Sequence, residues 1–351
     1  MRMTFPHMGN TWVGVKAMAE KLGVEFVVAP LTSQRTLSLG VKYSPETACL
    51  PFKLTLGNMI EALEHGADTV AVLGQYGPCR FGYYHKVQEL ILHDLGYKFE
   101  MVREDLGALN MIGYLTNGAS IREVLGGFRF GLAKLKALDM VEQLVYKMRA
   151  IERDKGMASR IYRDAITAID SAQDYKALKR AEQEHLKKLT QLPTVALSEP
   201  PLKIGVTGEF FVIIDPFANM DVEIELGKLG VEVQRPQSVW EWVRFNPLLI
   251  ALKLRERDKS IRAAKPYLTQ HVGGDGRQTI GEKVLHASDW DGLVHLQPFG
   301  CLPEIMARNI MPSTKENIPV LSIIYDEHTG KAGMLNRLEA FVDMIRRGKK
   351  R

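Results

Sequence analysis

Along the first hundred residues, short apolar runs alternate with stretches of helical spacing. Met1–Phe5 reads as a short strand. Gly9-Asn10-Thr11 breaks it and caps a helix over Trp12–Leu22, which Gly23 ends. Val24–Ala29, rich in β-branched residues, reads as a second strand stopped by Pro30. Leu54–His65 reads as a helix. Thr69–Gly74 is a continuous apolar strand of the kind needed in a sheet covered on both faces. Phe81–Leu95 reads as a helix and Phe99–Val102 as a further strand. This strand–helix alternation predicts a doubly wound parallel sheet.

From about Ile121 to Leu192 the period changes. Helical spacing dominates, Lys, Arg, Glu and Ala are frequent, and no proline occurs before Pro193. Beyond Pro200 and Pro201 the α/β pattern resumes, with strands over Leu202–Thr207, Gly292–Leu296 and Val320–Tyr325. "KLGVEF" at Lys21–Phe26 recurs as "KLGVEV" at Lys228–Val233, in each case after a strand and a helix. The predicted fold is therefore α/β. It has two Rossmann-like domains, residues 1–120 and 201–351, flanking a helical segment at 121–200, and the two domains read as a diverged duplication.

Composition narrows the class. The 351 residues are 46% hydrophobic and 25% charged, an ordinary globular balance. No uncharged apolar run approaches the ~18 residues of a membrane span. The N-terminus lacks a secretory apolar stretch, so a cytoplasmic location is the expectation. Much of the net charge of +5 lies in the tail Arg346-Arg347-Gly348-Lys349-Lys350-Arg351. That tail reads as a solvated helix end whose charge suits the helix dipole. No nucleic-acid motif accompanies it, and neither nucleic acid nor membrane is expected as a partner.

The three cysteines carry the most specific signal. Their odd number and the lack of any C-x-x-C pair argue against a disulfide framework in a cytosolic chain. Cys49, Cys79 and Cys301 each fall in a Gly- or Pro-containing turn ahead of a helix. Cys79 and Cys301 also follow apolar strands, at the edge where open α/β sheets bind ligands. A helix N-terminus favours thiolate over thiol and donates hydrogen bonds to sulfur. Three readings follow: small buried fillers; zinc, with His7, His85 or His295 as fourth ligand; or a [4Fe–4S] cluster gripped at three corners.

Several neighbours are candidates for chemistry. Glu304, three residues after Cys301, is read either as a first-turn cap or as a proton-transfer group. His295 and Gln297 end the strand leading to Cys301, where strand-end packing is the alternative to a site role. Asp326, Glu327, His328 and Thr329 follow the last strand and suit a site loop or a plain turn. Glu304, His295 and His328 are thus the catalytic candidates. Lys53 and Arg80 follow cysteines and read either as charge compensation or as solvated helix-start residues. Phe81, Tyr83 and Tyr84 read as packing for their helix. Gly273-Gly274-Asp275-Gly276 reads as a tight turn, and the chain has no G-x-x-x-x-G-K-[ST] phosphate-binding loop.

"FPHMGN" (Phe5–Asn10), "ACLPFK" (Ala48–Lys53), "GPCRFGYY" (Gly77–Tyr84), "HVGGDGRQTIGE" (His271–Glu282), "PFGCLPEIMA" (Pro298–Ala307) and "DEHTGKAGMLNRLEAF" (Asp326–Phe341) resemble the 2-hydroxyacyl-CoA dehydratase superfamily. The closest resemblance is to its short branch of CoA protein activase, or acyl-CoA dehydratase activase-related, proteins. The resemblance implies Rossmann-like domains and a [4Fe–4S] cluster held by Cys49, Cys79 and Cys301, in a cleft between domains. It also implies an ATP-dependent activator that delivers a low-potential electron, an acyl-CoA-type substrate dehydrated through a ketyl radical, and a homo- or hetero-dimer. A non-catalytic scaffold or adaptor for a dehydratase–activase system is the alternative function.

Overall fold

A computed structural model describes residues 1–72, 79–102, 120–242 and 258–349. The expected strand end Leu73-Gly74 and the Gln75–Pro78 part of the turn before Cys79 lie outside the described residues. The chain forms two compact units, Met1–Leu135 and Lys136–Arg351.

The first unit contains β1 (Arg2–Thr4), α1 (Thr11–Lys21), β2 (Glu25–Phe26), α2 (Gln34–Tyr43), α3 (Leu50–Glu64), β3 (Thr69–Ala71), α4 (Phe81–Asp94) and β4 (Glu100–Val102). The strands form one parallel sheet in the order β2-β1-β3-β4. The central helix α3 is buried on all sides from Leu50 to Leu63, its polar Lys53, Thr55, Asn58 and Glu61 included. Phe52, Leu56, Met59 and Ile60 from α3 share a core with Val70 of β3 and Leu92 of α4.

Three local features differ from the sequence-based expectation. The strand expected over Val24–Ala29 is only Glu25–Phe26. Its partner β1 is three residues long, and after Val27 N donates to Met3 O at 2.8 Å it offers no further ladder. Helix α3 starts at Leu50 rather than Leu54. Cys49 sits extended at its N-cap, and Pro51 falls in the first turn, where a missing N–H costs nothing. Helix α2 was not expected. Its start is a reciprocal cap in which Thr36 N donates to Ser33 Oγ at 3.4 Å and Ser33 N donates to Thr36 Oγ1 at 3.1 Å.

The long helix α5 (Ile121–Ile151) is followed by α6 (Met157–Ser171) and α7 (Tyr175–Thr190), as the helical period of that stretch requires. Then come β5 (Leu202–Gly208), α8 (Phe210–Ile214), α9 (Val222–Lys228), β6 (Val231–Gln234), α10 (Lys259–Ala264), α11 (Gly276–His286), β7 (Gly292–Pro298), α12 (Leu302–Ile310), β8 (Val320–Tyr325) and α13 (Lys331–Lys349). These strands form a second parallel sheet, β6-β5-β7-β8. Every residue of β7 is buried, so the strand is covered on both faces. At the end of β6, buried Arg235 pairs with Glu142 of α5 and with Glu223 of α9 at 3.4 Å, and stands over the Tyr146 ring at 5.2 Å.

The two sheets share one strand order and two local devices. Gly23 and Gly230 end α1 and α9 at φ 74° and 73°, a left-handed turn that favours glycine. An aspartate preceding the second central strand clasps the start of the first. Asp68 accepts from Arg2 N at 2.7 Å and donates its own amide to Arg2 O at 3.0 Å. Asp291 accepts from Lys203 N at 2.8 Å and donates to Lys203 O at 2.7 Å. Among the described residues no helix is long and apolar enough to cross a membrane.

Candidate functional site

In the first unit, two cysteines stand at helix starts. Cys49 is the N-cap of α3, and Cys79 immediately precedes Arg80, the N-cap of α4. Both are half-buried and outside any disulfide. Cys49 meets Tyr84, one turn into α4, the helix that follows Cys79. Tyr84 Oη lies 2.7 Å from Cys49 Sγ. Burial pushes the Tyr84 phenol well above its usual range, and the charges of Cys49 and Cys79 act in the same direction while Arg80 opposes them. The Tyr84 ring is fixed edge-on to Phe52, with centroids 4.8 Å apart. Arg80 Nη1 donates to Thr47 O at 3.2 Å, tying the Cys79 turn to the Cys49 turn. Beside them, beyond the carboxyl end of β1, a small pocket is lined by Phe5, Met59, Val72, Phe81, Tyr84 and His85.

The basic and aromatic neighbours divide. Lys53 is buried and donates to Glu46 O at 3.4 Å, so it is not a solvated helix-start residue. Tyr83 is 62% exposed and does not pack α4 onto the sheet, whereas Tyr84 is buried. Their successive positions on the helix point to different faces. His7 is buried with Nε2 2.6 Å from Ala29 O, a structural bond between the β1 and β2 exits.

In the second unit, Cys301 caps α12, with Pro303 in the first turn and Gly300 before it at φ 72°. One turn into α12, Glu304 is fully buried against fully buried His295 of β7. Glu304 Oε2 lies 2.9 Å from His295 Nε2 and accepts from Thr279 Oγ1 at 3.0 Å. His295 Nδ1 lies 3.1 Å from Ser322 Oγ on β8. Glu304 Oε1 is buried without a hydrogen-bond partner, as is Gln297 Oε1. Gln297 stands two residues along β7 from His295 and so on the same face, nearer the strand's carboxyl end.

Two further carboxylates complete this edge. Glu209 follows β5 and accepts from Val212 N at 2.9 Å. Part of its side chain reaches the surface, yet burial pushes its carboxyl up to about 8, with Asp275 and Glu304 adding repulsion. Asp275 accepts from Phe210 N at 3.3 Å. Gly276 brings α11 against α12: a Cβ there would lie 2.3 Å from Pro303 O. His328 is exposed in the turn after β8 and takes no part in the His295–Glu304 pair. Its amide donates to Asp326 Oδ1, which also accepts from Thr329 Oγ1, so the "DEHTG" segment acts as a turn.

Among the described residues no group of three or more His, Cys, Asp and Glu side chains is placed to hold a metal ion. The donor chemistry of the cysteine turns nevertheless fits thiolate ligation. Each cysteine is half-buried at or next to a helix start, and Cys49 has a phenol within hydrogen-bond reach. No protein-family model and no curated protein matches the chain.

Sequence reasoning singled out Cys49, Cys79, Cys301, His295 and Glu304, but not Glu209, Thr279 or the hydroxyl of Tyr84. Glu209 carried a usable signal, since it directly follows Gly208 at the carboxyl end of a strand. Thr279 and the Tyr84 hydroxyl carried none, because a buried polar contact between distant segments leaves no spacing in the chain.

Proposed function

We propose that this protein is a cytoplasmic [4Fe–4S] protein of the 2-hydroxyacyl-CoA dehydratase type, built on two Rossmann-like domains, with Cys49, Cys79 and Cys301 as the cluster's protein ligands. A separate ATP-dependent activator supplies its electrons, and an acyl-CoA-type molecule is its substrate. The observation that carries this reading is the common setting of the cysteines. Two are helix N-caps with a proline two residues on, and the third immediately precedes a helix N-cap. The helix dipole and the free first-turn amides lower the cost of three negative sulfurs there. The shared β2-β1-β3-β4 and β6-β5-β7-β8 order supports the Rossmann-like reading, since doubly wound sheets bind ligands where the strand order reverses.

When bound, the cluster supplies one-electron reduction. The chain's own residues do the rest. Cys49, Cys79 and Cys301 hold the group, and Arg80 offsets part of the thiolate charge. Glu304 and His295 hold a proton beside the Cys301 turn at the Oε2–Nε2 contact. Glu209 keeps a second proton at neutral pH, as its raised carboxyl requires.

The test is anaerobic reconstitution of the full chain followed by iron, sulfide and zinc quantitation. About four irons and four sulfides per chain, lost in each of Cys49→Ser, Cys79→Ser and Cys301→Ser, is the expected result. A colourless, iron-free protein would overturn the proposal and leave the scaffold role. One zinc per chain would replace it with a structural site.

A further inference from the structure

We propose that Tyr84 is a positioning residue for the Cys49 thiolate, donating a hydrogen bond that raises the reduction potential of the group the thiolate holds; this rests on the cluster reading above. Three features of the geometry carry it. The phenol oxygen stands 2.7 Å from Cys49 Sγ, within bonding distance for a hydroxyl and a sulfur. The ring cannot swing away, because it is buried with Phe52 edge-on at 4.8 Å and Phe81 tilted at 5.7 Å. Tyr84 also lies one turn beyond Cys79 on α4 while touching the N-cap of α3, so one phenol ties together both cysteine-bearing helix starts of this unit.

The direction of donation follows from chemistry. A metal-bound cysteine is a thiolate with no proton to give, so the hydroxyl is the donor. A phenol carries one O–H donor, and at 2.7 Å that hydrogen has the Cys49 sulfur as its acceptor. A hydrogen bond to a ligand sulfur stabilises the more negative, reduced form over the oxidised form. The packing of the ring does not need the oxygen, since phenylalanine would fill the same space. The hydroxyl is therefore placed for the sulfur, and its effect belongs in the redox equilibrium rather than in the fold.

The experiment uses full-length protein reconstituted anaerobically as wild type, Tyr84→Phe, Tyr83→Phe, and a form with 3-fluorotyrosine installed at position 84. Iron and sulfide are counted and the midpoint potential is read by EPR during a reductive titration. Tyr84→Phe is expected to keep its iron and to shift the reduction equilibrium about three- to tenfold toward the oxidised form, the tenfold end being a 59 mV fall for a one-electron couple. The fluorinated phenol, a stronger donor, is expected to shift it the other way. Tyr83→Phe, which removes an exposed phenol from another face of the same helix, is expected to leave it in place. A fully loaded cluster with the same potential in the Phe and fluorotyrosine forms would overturn the inference and leave the cluster reading standing. An iron-free wild type would remove both. If Tyr84→Phe does not fold, the upward shift with fluorotyrosine still decides the matter.

Discussion

Glu304 Oε2 is shared between His295 Nε2, 2.9 Å away, and the Thr279 hydroxyl at 3.0 Å, with both the acid and the imidazole fully buried. An ionised Glu304 can only accept, so the imidazole proton then sits on Nε2, and Nδ1 takes the Ser322 hydroxyl. Removing the carboxyl strands two donors in a dry interior. Glu304→Ala is expected to cost about 3–5 kcal/mol of unfolding free energy. Glu304→Gln, which keeps a carbonyl for the His295 proton, is expected to cost less than half as much. Urea denaturation of the two variants checks this, and equal losses would mean that the charge, not the acceptor, is what the site needs.

The Glu209 carboxyl sets a pH dependence whose sign is fixed. Its folded pKa, about 8, lies above the ordinary 4.5. Between those values the folded chain holds a proton that the unfolded chain has released, so stability falls as pH rises through the window. Below about pH 4.5 the group makes no difference. Glu209→Gln mimics the protonated form and keeps an acceptor for Val212 N. It is expected to melt higher than wild type at pH 8 and equally at pH 4.5. A melting difference that does not grow over that range would contradict the raised carboxyl.

Much of this architecture was legible because it rests on local patterns. The apolar run at Val320–Tyr325 is the strand β8, residue for residue. The turns around Cys49 and Cys301 announced helix starts through Pro51 and Pro303, one residue past each first helical position. What stayed hidden depends on distant chain segments. Helix α2 has a low apolar content, and its Ser33–Thr36 cap lacks the usual Glu or Gln partner. The Asp68 and Asp291 clasps are single acidic residues before strands, indistinguishable in the chain from ordinary turn aspartates. The Cys49–Tyr84 contact spans 35 positions, and a Tyr one turn into an amphipathic helix reads first as core.

The Arg235 cluster is expected to behave asymmetrically. Arg235→Met leaves Glu142 and Glu223 facing each other without their cation, and burial already pushes Glu223 upward against the pull of Arg235. The expected cost is about 3–5 kcal/mol. Adding Glu142→Gln and Glu223→Gln is expected to recover more than half of it, because the repulsion disappears along with the charge. Thermal melting of the single and triple variants reads this directly. No recovery in the triple variant would assign the loss to the guanidinium's stacking on Tyr146 instead.

Gly276→Ala tests the seam between α11 and α12. A Cβ 2.3 Å from Pro303 O forces the helix starts apart. Overpacking of this kind costs about 1–3 kcal/mol. Because Pro303 is two residues from Cys301, the Cys301 thiol is also expected to react faster with a disulfide reagent. Unchanged reactivity alongside a lowered melting temperature would mean that the strain relaxes into α11 alone.

The aspartate clasps also impose an order of events during synthesis. Arg2 waits for Asp68, 66 positions later, and Lys203 waits for Asp291, 88 positions later. At ribosomal speeds of about 5–20 residues per second, the second wait is roughly 4–18 s. For that interval β5 has been made while its central partner β7 does not yet exist, leaving an apolar strand with both edges open until β6 follows and one open thereafter. The nascent chain is therefore most exposed to mispairing and chaperone capture while residues 209–291 are being made, and slow codons are least tolerable within that stretch.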